Sequence, residues 1–165
     1  MADTATVAVL FCDLVSSTER QTRLGDDAAD AFRRRFFAAL RAPIAANHGT
    51  EVKNLGDGLM ATFESTTGAL LCAIDMHHAM RDLDPDDPVL LRIGISVGEV
   101  GHEDDDWFGT PVVEAARLCA VAAPGGTYAT AIVRTVVGSR GSKLRYAELG
   151  PMHLKGLPLP IDVVA

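Results

Sequence analysis

The sequence predicts an α+β domain: a ferredoxin-like βαββαβ core sheet with helices packed on it and extra strands towards the C-terminal end. Two observations carry this. Short β-branched or apolar runs alternate with longer segments of mixed apolar and charged residues, in the order βα-ββ-αβ. The chain has 165 residues, 48% hydrophobic and 22% charged, which is one domain's worth and enough to bury a proper core. No repeat, low-complexity tract or linker divides it, so residues 1–165 read as a single domain.

The elements follow in order. Thr6 to Cys12 reads as a buried strand. Ser16 and Ser17 are N-cap candidates, and Glu19 stands three residues after Ser16, as in a capping box. A helix follows, interrupted near Gly25-Asp26-Asp27, with its longer part from about Ala28 to Ala46. Gly49 ends it. Thr50 to Leu55 and Leu59 to Phe63 are short strands joined by Gly56-Asp57-Gly58, a tight hairpin in which a type I′ turn is one option. A second helix runs from about Ser65, its cap, to Leu83. Asp84 to Pro88 is a loop, and Val89 to Val97 a buried strand. Gly98 to Gly109 reads as an acidic, irregular connection. A third helix spans about Thr110 to Ala122, with Pro111 in its permitted first turn. A strand at Thr127 to Ala129, a short helix at Ala131 to Val137, and strands near Leu144 to Leu149, Met152 to Leu154 and Ile161 to Val164 complete the chain.

Composition excludes some functions. A net charge of −7 argues against nonspecific binding to nucleic acid or to an anionic membrane, but not against nucleotides, which need only a local cluster of donors. Cys12, Cys72 and Cys119 are widely spaced in apolar stretches and read as buried free thiols of a reducing compartment. No CxxC or Cys/His spacing suggests structural zinc. The N-terminus lacks the basic and apolar regions of a signal peptide. No window approaches the roughly 18 apolar residues of a membrane span. The expected setting is the cytoplasm. The five histidines show no metal spacing, and no Walker A, GxGxxG or Gly-x-Ser-x-Gly pattern occurs.

Two aspartates stand out. Asp13 ends the first apolar run, and Asp57 occupies the hairpin tip. A lone Asp after a strand is commonly a turn or cap residue. If the two strands are neighbours, however, the carboxylates meet, and Mg²⁺ or Mn²⁺ is the natural ligand for carboxylates shared with substrate phosphates. After Asp13, Leu14, Val15, Ser16, Ser17 and Thr18 lead into a helix, whose N-terminal N–H groups and dipole suit a phosphate.

Four blocks in this order resemble the catalytic domain of class III nucleotidyl cyclases, the adenylate and guanylate cyclases. They are Phe11-Cys12-Asp13-Leu14-Val15-Ser16-Ser17-Thr18, Lys53-Asn54-Leu55-Gly56-Asp57-Gly58, Asp106 to Leu118, and Leu154-Lys155-Gly156. Each is weak alone; four in order, covering about Val7 to Val164, are specific. The resemblance implies the nucleotide cyclase fold and a head-to-tail homodimer with sites at its interface. It also implies conversion of ATP to 3′,5′-cyclic AMP and pyrophosphate. Asp13 and Asp57 of one partner would hold two divalent ions, Mg²⁺ or Mn²⁺. Leu14 to Thr18 would bind phosphate oxygens. The other partner would bring Lys53 and Asp106 to the adenine edge, and Arg117 and Lys155 to the phosphates.

Lys53 would donate to adenine N1 and Asp106 would accept from the 6-amino group. Guanine reverses both needs, so Lys53 favours ATP over GTP. Outside the resemblance, Lys53 reads as an outward-facing strand lysine, Arg117 as a snorkelling residue at the margin of an apolar stripe, and Lys155 as a turn lysine. Asp104, Asp105 and Asp106 form an acidic run that otherwise reads as a solvated loop. Gly109, three residues on, selects Asp106. One position departs from the family. Val113 stands where an asparagine is usual, four residues before Arg117, and offers no hydrogen bond. The neighbouring Glu114 points about 100° away on a helix. The expectation is slow catalysis or a water taking the asparagine's role; a catalytically weak or inactive nucleotide-binding homologue is the alternative, and a guanylate cyclase is another.

Overall fold

The computed structural model describes residues 3–165. Met1 and Ala2, part of the N-terminal stretch read above for a leader, lie outside the described residues. The elements are β1 (Asp3–Leu14), α1 (Ser17–Leu24), α2 (Asp26–Ala46), β2 (Thr50–Asn54), β3 (Gly58–Phe63), α3 (Thr66–Leu83), β4 (Leu91–Glu103), β5 (Asp106–Phe108), α4 (Thr110–Val121), β6 (Thr127–Thr130), α5 (Ala131–Val137), β7 (Glu148–Met152) and β8 (Ile161–Val164).

The sheet runs β2-β3-β1-β4-β6-β8-β7, with β5 paired to β4. Its first four strands are antiparallel in the order expected of a βαββαβ core. β6 then joins β4 in parallel, and β8 and β7 extend the sheet antiparallel. Side chains alternate across a strand. On β1, Ala8, Leu10, Cys12 and Leu14 face Phe32, Phe36 and Leu40 of α2 and Met76 and Met80 of α3. Val7, Val9 and Phe11 face the other way, in a cluster with Met60, Val100, Ala115 and Cys119. Asp13 continues the second series. The sheet's alternation therefore turns its carboxylate towards the side covered by α4.

α4 sits unusually close to the sheet. A Cβ on Gly94 of β4 would lie 2.1 Å from the Ala115 carbonyl oxygen and 2.3 Å from the Cys119 nitrogen. Only glycine permits that approach, and it fixes the helix that carries Arg117. The three cysteines are free and buried, as their apolar settings suggested.

Four local expectations are corrected. Ser16 takes a left-handed conformation (φ 58°, ψ 39°) and makes no side-chain cap bond, so there is no capping box. Its backbone is committed to the turn out of β1, where the Val15 N–H donates to the Leu90 carbonyl. The Gly56-Asp57 tip is not type I′: Gly56 alone has positive φ, and the Asn54 side chain accepts from the Gly56 N–H instead. The acidic connection after Gly98 is not irregular. β4 continues to Glu103 and returns as β5 through Asp104 and Asp105, both left-handed, which is the pattern of a two-residue I′ hairpin. Finally, one strand, β7, replaces the two expected between Leu144 and Leu154. Ser65, by contrast, caps α3 as read, accepting from the Gly68 N–H at 3.0 Å.

Candidate active site

β1 and β3 are neighbours, and their register sets Asp13 opposite Gly58. The Leu14 N–H donates to the Asp57 carbonyl at 2.7 Å, which ties the hairpin tip to the end of β1. The two aspartates are thus brought together. Gly58 makes this possible: a Cβ there would lie 1.8 Å from the Cys12 carbonyl oxygen and 2.8 Å from the Asp13 Cα. Gly58→Ala is expected to push β3 away from β1. The cost should be about 3 kcal/mol, as for an overpacked core, or roughly 10 °C in Tm for a chain of this size. A thermal melt beside the parent protein checks it.

The electrostatics of the pair are unbalanced. Asp13 Oδ1 is buried and has no hydrogen-bond partner. Burial raises the Asp13 pKa above its ordinary value and Asp57 raises it further, with Arg92 opposing. Neither aspartate is in an ion pair among the described residues. The Ser17 hydroxyl donates to Asp57 Oδ2 at 3.3 Å. Two like-charged carboxylates, one with an orphaned oxygen, suit a hard cation. Among the described residues no group of three or more His, Cys, Asp or Glu is placed to hold a metal. The chain therefore offers two carboxylates here, and any further ligands would be backbone or hydroxyl oxygens, substrate phosphates or water.

Of the loop residues, Leu14 and Val15 commit their N–H groups inside the chain, to Asp57 and Leu90. That narrows the expected donors of the five-residue loop to Ser16, Ser17 and Thr18, at the N-terminus of α1. Sequence reasoning missed Arg92. It lies opposite Asp13 on β4, and its Nε donates to the Ala122 carbonyl at 3.0 Å. The available signal was a single arginine inside the apolar run Val89 to Val97.

Lys53 and Asp106 also meet. The Lys53 Nζ lies 3.0 Å and 2.9 Å from the two Asp106 carboxylate oxygens, and the Trp107 N–H donates to Asp106 Oδ1 at 2.8 Å. The hydrogen bond from Lys53, then that from Trp107, lowers the Asp106 pKa. The hairpin brings Asp106 there because Trp107 packs against the cluster of Val7, Val9, Phe11 and Met60, beside Val52. Asp106, rather than Asp104 or Asp105, is the acid paired with the lysine.

Arg117 lies beside the turn that carries Lys155. Leu154 is buried and anchors a turn, in which the Leu157 N–H bonds the Leu154 carbonyl, and Lys155 stands exposed at its tip. Gly156 takes φ 87°, and the Arg117 Nη2 lies 3.9 Å from where its Cβ would be. Arg117 Nε is buried without a partner. Among the described residues, no ion pair joins Lys53, Arg117 or Lys155 to Asp13 or Asp57. The structure therefore presents a carboxylate pair, a lysine–aspartate pair and a cationic turn, with no direct ion pair between the first and the other two.

The adenylate and guanylate cyclase catalytic domain family matches residues 1–162. The chain belongs to this family, whose fold is the nucleotide cyclase fold. A Rhizobium meliloti protein provisionally named adenylate cyclase 3 is 29% identical over 160 residues, covering 94% of this chain and 27% of its own length. The crystal structure of an adenylate/guanylate cyclase/hydrolase from Silicibacter pomeroyi superposes with a TM-score of 0.84 at 29% identity, covering 99% of this chain and 97% of that one. The adenylyl cyclase CyaB of P. aeruginosa superposes at 0.90 with 19% identity, covering 99% of this chain and 94% of that one, and shows the fold alone. The chain spans from 27% to 54% of the length of the curated relatives it matches. Among the described residues no helix is long and apolar enough to cross a membrane.

Proposed function

We propose that the chain converts ATP to 3′,5′-cyclic AMP and pyrophosphate as a head-to-tail homodimer whose two sites each draw on both chains. The observation that carries this is that two of the three buried side-chain polar atoms left without a partner among the described residues, Asp13 Oδ1 and Arg117 Nε, belong to the candidate site; the third is the Tyr146 hydroxyl. The two site atoms belong to different clusters, and buried polar groups ordinarily have partners. A substrate and a second chain would supply them.

In this reading the ribose 3′-hydroxyl gives up its proton to solvent, its oxygen bonds to the α-phosphorus, the bond from that phosphorus to the β-phosphate bridging oxygen breaks, and pyrophosphate leaves. Asp13 and Asp57 would hold Mg²⁺ or Mn²⁺, which when bound acidifies the 3′-hydroxyl and neutralises the leaving pyrophosphate. Ser16, Ser17 and Thr18 direct N–H groups at phosphate oxygens, with the α1 dipole behind them. Lys53 donates to adenine N1 and Asp106 accepts from the 6-amino group. Their mutual ion pair holds donor and acceptor side by side before the base arrives. Arg117 and Lys155 draw off charge developing on the phosphates.

Purified protein with ATP and Mn²⁺ is expected to accumulate cyclic AMP, with less cyclic GMP from GTP. Nucleotide binding without product at long times would overturn the activity, and preference for GTP would overturn the role of Lys53. One observation favours a slower or non-catalytic reading: Val113, 37% exposed on α4, stands where the family resemblance expects a hydrogen-bonding asparagine. Loss of one such donor lowers rates by about 10²–10³. Turnover is therefore expected to be slow.

A further inference from the structure

We infer that Arg20 is the positioning residue that sets the pose of the phosphate-facing loop. This rests on the phosphate role proposed above for Ser16, Ser17 and Thr18.

α1 has eight residues and begins without a side-chain cap. Gly25, at φ 77°, breaks it from α2. A helix so short is not stable by itself, so its place must come from tertiary contacts. Arg20 supplies them and is only 6% exposed. Its guanidinium reaches Asp87 Oδ2 at 3.0 Å and Asp84 Oδ2 at 3.5 Å. It also donates to the Pro88 carbonyl at 3.0 Å and the Asp87 carbonyl at 3.3 Å. Its carbon lies 4.7 Å from the centre of the Phe32 ring on α2.

These contacts join α1 to α2 and to the loop between α3 and β4. That loop is itself braced, with the Asp87 N–H bonded to Asp84 Oδ1 at 3.2 Å. Two residues beyond Pro88, the Leu90 carbonyl accepts from the Val15 N–H at 2.9 Å. The phosphate-facing turn is thus held from both ends by one loop: at Val15 directly, and one turn into α1 through Arg20. A planar fork is needed to reach two carboxylates and two carbonyls at once, which a lysine cannot do. Nothing in this network touches Lys53 or Asp106.

The test is titration of Arg20→Lys with inorganic pyrophosphate in Mn²⁺, beside steady-state KM values for ATP and GTP. Arg23→Gln serves as control. Arg23 also pairs with Asp87 but is exposed, and its loss should change nothing. The expected result for Arg20→Lys is roughly tenfold weaker pyrophosphate binding and a similar rise in KM for ATP, as for the loss of charge-assisted hydrogen bonds. The ratio of ATP to GTP use should stay as in the parent. Unchanged pyrophosphate binding with only a lower Tm would overturn the inference. If Arg20→Lys does not fold, Asp84→Asn, which removes one partner from the loop side, should weaken pyrophosphate binding in the same direction; no change there overturns it. Parent protein that binds neither ATP nor pyrophosphate would overturn the phosphate role itself. Parent protein that binds both, with variants equal to it, would overturn only the part given to Arg20.

Discussion

Asp13→Asn is expected to give a folded, dimeric protein that makes no cyclic nucleotide above about one part in 10³ of the parent rate, since the proposed ligand to charge-stabilising ions would be lost. Asparagine keeps the shape and removes the charge. The same substitution should raise the melting temperature in the absence of divalent ions, or leave it unchanged. The sign follows from the pKa. Burial and Asp57 raise the Asp13 pKa, so the folded state disfavours the ionised form, and the charge costs stability at neutral pH. Mn²⁺ should stabilise the parent against heat by mass action and leave Asp13→Asn unmoved. Activity should therefore fall without any fall in apo stability. Loss of both together would point to a structural aspartate and against a metal ligand.

Arg117→Met is the second large effect, with a fall in kcat of about 10²–10³ for a lost charge-stabilising donor. Methionine keeps an unbranched apolar side chain of similar reach and removes a guanidinium whose Nε is buried without a partner. An unsatisfied buried donor costs about 1–3 kcal/mol, so deleting it should not lower Tm. Pyrophosphate and ATP binding should weaken less than kcat falls, because this interaction is proposed to grow as charge develops on the α-phosphate. An equal rise in KM with kcat unchanged would make Arg117 a ground-state binding residue only.

The candidate site residues were legible for different reasons. The order of elements along the chain followed from apolar runs and turn chemistry, whereas the meeting of Asp13 and Asp57 stayed conditional on strand adjacency, which the pairing of β1 with β3 supplies. Asp106 was selected from three consecutive acids by its distance from Gly109, and the ion pair with Lys53 supports that register. What the sequence concealed was mostly backbone. Ser16 looked like a cap, yet its left-handed φ serves the turn out of β1, and no local pattern distinguishes the two uses. Asp104 and Asp105 looked like a solvated loop because aspartate reads as polar first and as tolerant of positive φ second. Arg92 was hidden because a charge inside an apolar run carries no label until register sets it opposite Asp13. The anchoring of α1 by Arg20 required contacts across 64 to 68 positions, which no window on the sequence contains.

The central claim is that one chain carries both halves of the site but uses each half with a second copy. Mixing separately purified Asp13→Asn and Arg117→Met proteins, each expected to be impaired by about a hundredfold or more alone, tests it most directly. In a mixed dimer one site inherits both lesions and the other inherits neither. The expected result is recovery to about a quarter of the parent rate after subunit exchange, because half of randomly exchanged dimers are mixed and each keeps one of two sites. No recovery, in a mixture shown to contain mixed dimers, would contradict the shared site and mean that each site draws Asp13 and Arg117 from one chain.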